Sequence, residues 1–423
     1  MGSVRQHREI PGEVASIVLA GGEGTRLFPL TQSRCKPAVS FGGRYRLIDI
    51  PISNSLNSNI NRIYIISQHL AADLNQYVKS CFTPHQFQRG DIQLLTPIDT
   101  PQRKVVFKGT ADAVRQNIDH LIKSSAEYFL ILSGDQLYNA NFMSMVNFAK
   151  DTNADLVIAT IPVEEAEAKR MGLLRIDATG HVEGFFEKPN TPELLKLYEL
   201  PEGHFTEKKR PGVKGPHYLG SMGIYVFKRS CLISLLREEG EDFGKHLIPL
   251  QVKRGRTYSY IFDGYWEDIG TIASYYKANL ALLSNKNCLD MYDEILPIYT
   301  KPQQLPNPVI HQTHIENSVI GMGAIVEAQE ITGSIVGLRA QIKKGTVIRN
   351  SIISGHKSYV GEFSIGENCR IEKAIIDEHS SIGNNVQLIN RENLQKYDGD
   401  GVYIRDGIII IPSGTHLPDG FTI

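Results

Sequence analysis

A glycine-rich segment near the amino terminus carries the residue types of a phosphate-binding loop. An apolar run ends at Ala20, the sequence GGEGTR follows over Gly21–Arg26, and Lys36 lies ten residues beyond. Glycines let backbone N–H groups approach a phosphate closely, while arginine adds a fork of charged donors and lysine a point charge. The order is neither GxxxxGKS/T nor GxGxxG, which disfavours a kinase-like P-loop and a dinucleotide fold. The segment therefore predicts a bound phosphate.

Two aspartates follow predicted strands and are candidate metal ligands. Asp135 ends the apolar stretch YFLILSGD, and Asp268 lies in YWEDIG. Ligands of α/β proteins bind at the carboxyl edge of the sheet, and two carboxylates there can hold Mg²⁺, which keeps several waters and bridges phosphate oxygens. The alternatives are a helix cap at Asp135 and a structural hydrogen bond at Asp268.

The sequence EKP places one acid and one base after a predicted hairpin strand. The ammonium of Lys188 is a candidate for binding a sugar phosphate, and Glu187 is a candidate acceptor from sugar hydroxyls. The alternative is an exposed ion pair, which contributes little to stability.

Composition excludes several classes of protein. The 423 residues leave room for two or three domains. Lys and Arg number 45 against 46 Asp and Glu, so the basic excess of a nucleic-acid-coating protein is missing. No uninterrupted apolar run approaches about 18 residues, so no membrane partner is expected. Five cysteines without a CxxC spacing fit a reducing compartment, which predicts a cytoplasmic location.

The first part of the chain alternates apolar runs with polar or helical stretches. Strands are predicted at Val14–Ala20, Arg62–Ser67, Tyr128–Ser133 and Asp155–Ile161. This alternation is typical of a doubly wound α/β fold with a mostly parallel sheet. A turn at Thr179-Gly180 between two alternating runs predicts a hairpin inserted into that sheet.

The last part of the chain has a different periodicity. Four prolines interrupt the pattern over 296–308, and beyond them apolar residues recur in eleven steps over the 62 residues between Ile320 and Ile382, or about 5.6 residues per step. This repeat predicts a β-solenoid; an antiparallel sandwich is the alternative, but its strands alternate with period two. We therefore predict an α/β domain over 1–295, a proline-rich linker over 296–308 and a solenoid domain over 309–423.

The segment Ala20–Pro37 matches AGGxGTRLxPLTxxxxKP and resembles the signature of the sugar-nucleotide pyrophosphorylases. Further motifs are similar to those of the glucose-1-phosphate adenylyltransferase branch of that family: Gly43–Asn54, Gly109–Gln116, Ser133–Tyr138, Glu187–Pro189, Ser221–Phe227, Asp242–Pro249, Tyr265–Thr271 and Gly401–Ile411. The resemblance spans nearly the whole chain. It implies a GT-A-like nucleotidyltransferase domain followed by a left-handed parallel β-helix, assembled as a homotetramer.

The resemblance also implies a reaction. ATP and α-D-glucose 1-phosphate would give ADP-glucose and pyrophosphate, with Mg²⁺ as cofactor, for glycogen or starch biosynthesis in the cytoplasm or in a plastid stroma. An in-line displacement at phosphorus requires positioning and charge neutralisation rather than a nucleophilic side chain. A sugar-phosphate effector is a further partner of the family.

The resemblance assigns roles to individual residues. Arg26, Lys36 and Asp135 would be catalytic, and Asp135 and Asp268 would hold the metal. The nucleotide would contact Leu19, Gly21, Gly22, Gly24, Thr25, Gly109, Thr110 and Asp112. The sugar phosphate would contact Phe107, Gly172, Glu187, Lys188 and Ser221.

Three alternatives and two departures qualify the resemblance. The signature alone does not distinguish ATP from UTP or dTTP. A non-catalytic regulatory subunit is disfavoured because such subunits tend to lose Arg26 and Lys36, and a β-helix acyltransferase is disfavoured because no motif supports a catalytic histidine. Ser33 and Asp377–Ser380 stand where some relatives carry activator-binding lysines. Activation by fructose bisphosphate or phosphoglycerate is therefore expected to be weak or changed.

Overall fold

The computed structural model describes residues 12–68, 70–82, 91–97, 106–201, 217–284, 288–356 and 363–423. Within these residues, a nine-stranded sheet with flanking helices forms the first part of the chain. From residue 309 on, short strands stack on one another in parallel. The predicted fold class, a mostly parallel α/β domain followed by a parallel β-helix, is confirmed.

The strands of the first part have the following bounds. They are β1 (Val14–Leu19), β2 (Ser40–Phe41), β3 (Tyr45–Arg46), β4 (Arg62–Ile66), β5 (Asp91–Leu95), β6 (Tyr128–Ser133), β7 (Gln136–Tyr138), β8 (Leu156–Val163), β9 (Gly172–Ile176), β10 (Val182–Glu187), β11 (Tyr218–Lys228), β12 (Thr257–Ile261) and β13 (Trp266–Asp268).

The helices pack on both faces of this sheet. They are α1 (Asp49–Asn57), α2 (Ala71–Cys81), α3 (Thr110–Gln116), α4 (Ile118–Lys123), α5 (Phe142–Asp151), α6 (Glu165–Ala168), α7 (Pro192–Leu197), α8 (Arg229–Leu235), α9 (Ile248–Arg254) and α10 (Ile272–Ala281), with short helical turns at Thr25–Leu27, Lys36–Ala38 and Phe243–Leu247. Among the described residues, no helix combines the length and the apolar character that crossing a membrane requires.

Four parallel strands form one side of the sheet, which ends at β5. β5, β4, β1 and β6 lie side by side in one direction. The four strands predicted from sequence correspond to β1, β4, β6 and β8, with bounds that differ by two residues at most. β11 was not predicted; it is antiparallel to β6, β8 and β9 and separates β6 from β8.

The side chains of β1 alternate between two apolar cores. Ala15 and Ile17 belong to one buried cluster, whereas Val14 and Val18 belong to the other. Successive side chains of a strand point to opposite faces, so a strand covered on both faces is apolar throughout. This double burial fixes the carboxyl end of β1, from which the glycine-rich loop departs.

The predicted hairpin is present. β9 and β10 are antiparallel, with Gly172 opposite Glu187, and the turn between them contains Gly180. The hairpin joins the sheet through β11, because Leu219 of β11 pairs with Leu174 of β9. Lys188 follows the last residue of β10, as the sequence predicted.

The solenoid consists of stacked coils of short parallel strands, and one hairpin near its carboxyl end pairs antiparallel. Its strands are β14 (Val309–Ile310), β15 (His314–Glu316), β16 (Val319–Ile320), β17 (Ile325–Val326), β18 (Glu330–Thr332), β19 (Ile335–Val336), β20 (Gln341–Ile342), β21 (Val347–Arg349), β22 (Ile352–Ile353), β23 (Ser364–Ile365), β24 (Arg370–Glu372), β25 (Ala374–Ile376), β26 (Ser381–Ile382), β27 (Gln387–Leu388), β28 (Lys396–Gly399), β29 (Val402–Arg405), β30 (Ile408–Ile411) and β31 (His416–Leu417).

Stacking of the coils aligns buried aliphatic side chains from successive strands. Along one face of the solenoid, Ile331 pairs with Ile348, Ile348 with Ile371, and Ile371 with Leu388. All four side chains are fully buried. The step from Ile331 to Ile348 is 17 residues, which is three times the predicted period of about 5.6.

The buried ladder formed by Ile331, Ile348, Ile371 and Leu388 gives a stability prediction. Ile371→Ala is expected to destabilise the β-helix by about 2–5 kcal/mol, because truncating a fully buried aliphatic side chain loses transfer free energy and leaves a cavity. Denaturant unfolding, with hydrogen exchange of the solenoid strands to identify the transition, measures the loss. Ile325→Ala is the control, because Ile325 is 45% exposed. Equal effects of the two substitutions would contradict the ladder.

The proline-rich connection lies against the first domain. The residues 296–308 carry no helix or strand. The Tyr299 N–H donates to Ser53 Oγ at 2.8 Å, and Asn57 Nδ2 donates to the Pro297 carbonyl oxygen at 3.0 Å. The connection is therefore ordered and runs along α1.

Candidate active site

Two loops meet at the carboxyl ends of β1 and β6. The Ala20 N–H donates to the Ile66 carbonyl at 2.8 Å, and the Gly134 N–H donates to the Leu19 carbonyl at 3.0 Å. These bonds extend the parallel pairing beyond the strands and hold the glycine-rich loop beside Ser133-Gly134-Asp135. The predicted phosphate-binding loop and the first predicted metal ligand therefore lie next to each other.

Gly24 gives the glycine-rich loop its fold. Its φ of +66° lies in the left-handed region, and a Cβ atom there would lie 2.9 Å from Lys36 Cβ and 3.0 Å from Thr31 Cγ2. Only glycine fits both the conformation and this contact. Thr31 Oγ1 also donates to the Gly24 carbonyl at 3.0 Å. The loop thus folds back onto Lys36, and the helical turn that carries Arg26 starts directly after Gly24.

Lys36 and Asp135 form an ion pair at the centre of the site. Lys36 Nζ donates to Asp135 Oδ2, and the Ser133 hydroxyl donates to Asp135 Oδ1. The Lys36 side chain is 10% exposed and that of Asp135 19% exposed. The ion pair is therefore sheltered but open enough for a ligand to reach the ammonium.

A small antiparallel ladder brings Asp268 to the same place. β13 pairs with β7 so that Asp268 lies opposite Gln136, the residue after Asp135. The Ile269 N–H donates to the Asp135 carbonyl at 3.3 Å. Asp268 was predicted to follow a strand; it is the last residue of β13, which lies outside the main sheet.

The surroundings of Asp268 raise its pKa. The side chain opens onto a cavity, but the protein around it limits its hydration, and this desolvation raises the pKa most. The charge of Asp135 raises it further, and the nearby cations Lys36 and Arg26 do not cancel the effect. A divalent cation next to the two carboxylates would neutralise this excess negative charge.

The donor set fits Mg²⁺ better than a metal held by protein alone. Among the described residues, no group of three or more His, Cys, Asp or Glu side chains is placed to hold an ion. Mg²⁺ usually binds through one or two carboxylates, waters and substrate phosphates. Asp135 and Asp268 together match that requirement.

A first cavity, with a volume of about 530 Å³, lies over the glycine-rich loop. Its lining includes the predicted nucleotide contacts Leu19, Gly21, Gly22, Gly109 and Thr110, together with Lys36 and Asp135. Within the described part of the chain, Gly24, Thr25 and Asp112 lie outside this lining. Gly24 instead shapes the loop, while Asp112 accepts from the Lys108 N–H at 2.9 Å and from Gln116 at 2.7 Å.

The segment that carries Phe107 belongs to this first cavity. Phe107 was predicted to contact the sugar phosphate, but it lines the cavity over the glycine-rich loop and its N–H donates to Gln68 Oε1. Gln68 lines the same cavity, and sequence reasoning missed it because no motif marks it. A Cβ atom on Gly109 would lie 2.4 Å from the Glu241 carbonyl oxygen, so the close approach of these two segments requires glycine.

The second cavity, of about 650 Å³, is lined in part by residues of β7, β11 and β13. Four of the predicted sugar-phosphate contacts line it, together with Arg26 and Asp268: Gly172, Glu187, Lys188 and Ser221. Gln136, Gly223 and Tyr225 line both cavities, and so do Glu187 and Lys188. Gln136 and Tyr225 lie in the motifs Ser133–Tyr138 and Ser221–Phe227, but the sequence did not predict a role for either residue.

The two cavities meet at the carboxylates. Asp135 lines the first cavity and Asp268 the second, and the two residues are linked through the β7–β13 ladder. A side chain on Gly270 would lie 3.1 Å from Asp268 Oδ2 and 3.6 Å from Arg26 Nη2, so Arg26 and Asp268 share one corner of the second cavity. The arrangement allows two ligands to meet over one cation.

Glu187 and Lys188 differ in their surroundings. The Lys188 side chain is 58% exposed, and its Nζ lies 3.6 Å from Glu187 Oε1. Desolvation raises the pKa of Glu187; Lys188 opposes this rise and Asp242 adds to it. A Cβ atom on Gly172 or Gly244 would lie 2.8 Å or 2.6 Å from Glu187 Oε2. Glu187 is therefore held between two glycines, unlike an ordinary solvated residue.

Ser221 lies in β11 and is buried. Its Oγ accepts from the Gly223 N–H at 3.2 Å, where Gly223 has a φ of +72° and interrupts the pairing of β11 with β8. The neighbouring Gln136 donates to the Met222 carbonyl at 2.7 Å. The interruption turns this part of β11 toward the second cavity.

The cysteines offer no activated nucleophile. All five lie in the described part of the chain, and each is free. Burial raises the pKa of Cys35 and Cys81 to about 11 and that of Cys231 to about 12. These thiols therefore stay protonated at neutral pH, which agrees with chemistry that needs no covalent intermediate.

Comparison with known families matches both parts of the chain. The model of the nucleotidyl transferase family matches residues 15–285, and that of the GLGC left-handed parallel β-helix domain matches residues 303–422. The first match contains both cavities and both aspartates. The combination is that of the glucose-1-phosphate adenylyltransferase-like proteins, which are sugar-nucleotide pyrophosphorylases. The chain belongs to the nucleotidyl transferase family.

Proposed function

We propose that the protein transfers the adenylyl group of ATP to α-D-glucose 1-phosphate, forming ADP-glucose and pyrophosphate for α-glucan synthesis. The observation that carries this proposal is the meeting of two cavities at Asp135 and Asp268, with the glycine-rich loop and Lys36 in one, Arg26 in the other and Lys188 lining both. The motifs shared with the glucose-1-phosphate adenylyltransferase branch and the GLGC-type β-helix support ATP as the nucleotide.

In this proposal, each cavity receives one anionic ligand. Backbone N–H groups of the glycine-rich loop bind the nucleotide phosphates in the first cavity. Lys36 from that cavity and Arg26 from the adjoining corner of the second cavity bind the β- and γ-phosphates where the two cavities meet. Lys188 binds the phosphate of the sugar, while Glu187 accepts hydrogen bonds from sugar hydroxyls. The two ligands are thereby aligned so that an oxygen of the sugar phosphate faces the α-phosphorus of the nucleotide.

The chemical step needs charge neutralisation more than proton transfer. The sugar-phosphate oxygen forms a bond to the α-phosphorus while the bond to the β-phosphate oxygen breaks, so pyrophosphate leaves in line. Mg²⁺ bound by Asp135 and Asp268 would neutralise charge on the transferring group. Arg26 and Lys36 draw off the negative charge that develops on pyrophosphate as it leaves.

A pyrophosphate-release assay with a panel of nucleotides tests the proposal. With glucose 1-phosphate as acceptor, kcat/KM for ATP is expected to exceed that for UTP and dTTP by about tenfold or more, a difference of about 1.4 kcal/mol in transition-state binding. A preference for UTP or dTTP would assign the chain to another pyrophosphorylase. Release from none of the nucleotides would indicate a regulatory subunit.

Glu187 gives a pH prediction. Because its pKa is raised, Glu187 takes up a proton at a higher pH than an ordinary glutamate, and the protonated group is a weaker acceptor. As the pH falls through this raised pKa, KM for glucose 1-phosphate is expected to rise. Initial rates at saturating ATP across the acid range measure the change.

The matched variant for this prediction is Glu187→Gln. It is expected to raise KM for glucose 1-phosphate about tenfold at neutral pH, since a hydrogen bond to a charged group contributes about 1.5–3 kcal/mol. Titration of the substrate phosphate affects both proteins, so the variant isolates the contribution of Glu187. The same acid-range rise of KM in wild type and variant would contradict the assignment.

A further inference from the structure

Two carboxylates of the β-helix hold both ends of the segment that carries Lys36. We call this segment, Arg34–Ser40, the Lys36 strap. Arg34 Nη1 lies 3.3 Å from Asp377 Oδ1 and 3.5 Å from Glu378 Oε2. At the other end of the strap, the Ser40 hydroxyl donates to Glu378 Oε1. Asp377 and Glu378 directly follow β25, more than 300 residues away in sequence.

These contacts are buried. The side chains of Arg34, Asp377 and Glu378 are 6%, 4% and 3% exposed. Burial acts to lower the pKa of Arg34, but Asp377 and then Glu378 raise it, and the net shift is upward. Removing one partner of a buried ion pair leaves an uncompensated charge, so such a contact fixes the position of what it holds.

Lys36 lies between the two anchored ends. A single helical turn, Lys36–Ala38, follows Cys35, and the Val39 N–H donates to the Lys36 carbonyl at 3.1 Å. Pro37 packs so closely on the loop after β6 that a side chain on Gly134 would lie 3.1 Å from Pro37 Cγ. The strap is therefore short and tightly packed, and the contacts at its two ends hold it in place. In this position the Lys36 ammonium contacts Asp135.

We propose that Asp377 and Glu378 are positioning residues of the active site, through which the β-helix sets the location of the Lys36 ammonium. The proposal rests on the proposed function for its kinetic consequence, because Lys36 binds the triphosphate there. A displacement of a catalytic group by about 1 Å can lower a rate by about 100-fold. The C-terminal domain is thus part of the catalytic apparatus without touching a substrate.

A double variant with chemical rescue tests this role. Asp377→Ala with Glu378→Ala removes both carboxylates and leaves space that acetate can enter. Without acetate, amide exchange of the strap is expected to accelerate and kcat/KM for the nucleotide to fall by about tenfold or more. Excess sodium acetate is expected to restore both quantities toward wild type, whereas sodium chloride at equal ionic strength is not.

Two further variants serve as controls. Asp398→Ala removes a carboxylate that pairs with Arg405 in the β28–β29 hairpin and is 46% exposed, so exchange of the strap should not change. Asp377→Asn with Glu378→Gln keeps the side-chain volume, which guards against collapse of the interface. It is expected to give the same losses, without rescue because no space is left for acetate.

Several results would overturn the positioning role. One is a folded double variant in which amide exchange of the Lys36 strap and kcat/KM for the nucleotide both equal those of wild type. Another is a lower melting temperature with unchanged kcat/KM, which would show a purely structural contact, and a third is a loss that acetate does not reverse in the double alanine variant. Hydrogen exchange needs no activity, so it still tests the strap if wild type releases no pyrophosphate and the proposed function fails.

Discussion

Replacing Asp135 by asparagine is expected to lower kcat for pyrophosphate release by about 10³-fold. The carboxylate of Asp135 is proposed to bind Mg²⁺ together with Asp268, and it forms an ion pair with Lys36. Asparagine keeps the volume but loses the charge needed for both tasks, and the loss of a well-placed electrostatic group costs about 10²–10³ in turnover, with the metal contribution in addition.

The Asp135→Asn measurement needs saturating nucleotide and a magnesium titration. The concentration of Mg²⁺ at half-maximal rate is expected to rise, because one of two protein ligands is weakened. Asp119→Asn is the matched control, since Asp119 is exposed on α4 and lines neither cavity. Full turnover of Asp135→Asn at the wild-type magnesium requirement would show that the metal assignment is wrong.

The second large effect is expected for Lys36. Lys36→Ala should lower kcat by about 10²–10³, because the ammonium proposed to bind the departing pyrophosphate is lost. The same substitution leaves Asp135 without its ion-pair partner, so the aspartate pair becomes more negative and should bind Mg²⁺ more tightly. Slower turnover combined with a lower magnesium requirement distinguishes this site from a general loss of structure.

Rapid-quench kinetics and a magnesium titration measure the two changes in Lys36→Ala. Arg44→Ala serves as its control, because Arg44 is an exposed basic residue that follows the Lys36 strap in sequence. A fall in turnover accompanied by an increased magnesium requirement would contradict the proposed ion pair. Equal losses in Lys36→Ala and Arg44→Ala would show that the segment responds to any change of charge.

The parts of the fold that the sequence predicts are those with a strong local pattern. β1 and β6 are runs of apolar residues because both faces of the sheet are covered, and the solenoid repeats because each coil buries equivalent positions. β11 lacks such a signal. Its residues Gly220, Ser221 and Gly223 interrupt the apolar run, and its antiparallel place between β6 and β8 depends on tertiary pairing.

The same limit applies to the site. Residues next to glycines and strand ends, such as Arg26 and Asp135, can be predicted from the sequence because the local sequence dictates a loop at the sheet edge. Phe107 was assigned to the sugar side, and Gln68 was not considered, because the contact between their segments is not encoded locally. Asp377 and Glu378 were noted only for lacking a lysine; their pairing with Arg34 arises from how the domains pack.

A crystal structure with Mn²⁺ and an ATP analogue that has a methylene bridge between the α- and β-phosphates would locate the proposed metal and nucleotide sites directly. Anomalous scattering locates the metal independently of the surrounding density. A manganese peak is expected between the carboxylates of Asp135 and Asp268, with the triphosphate over the glycine-rich loop. A peak away from both carboxylates, or a nucleotide bound outside the two cavities, would contradict the proposed sites.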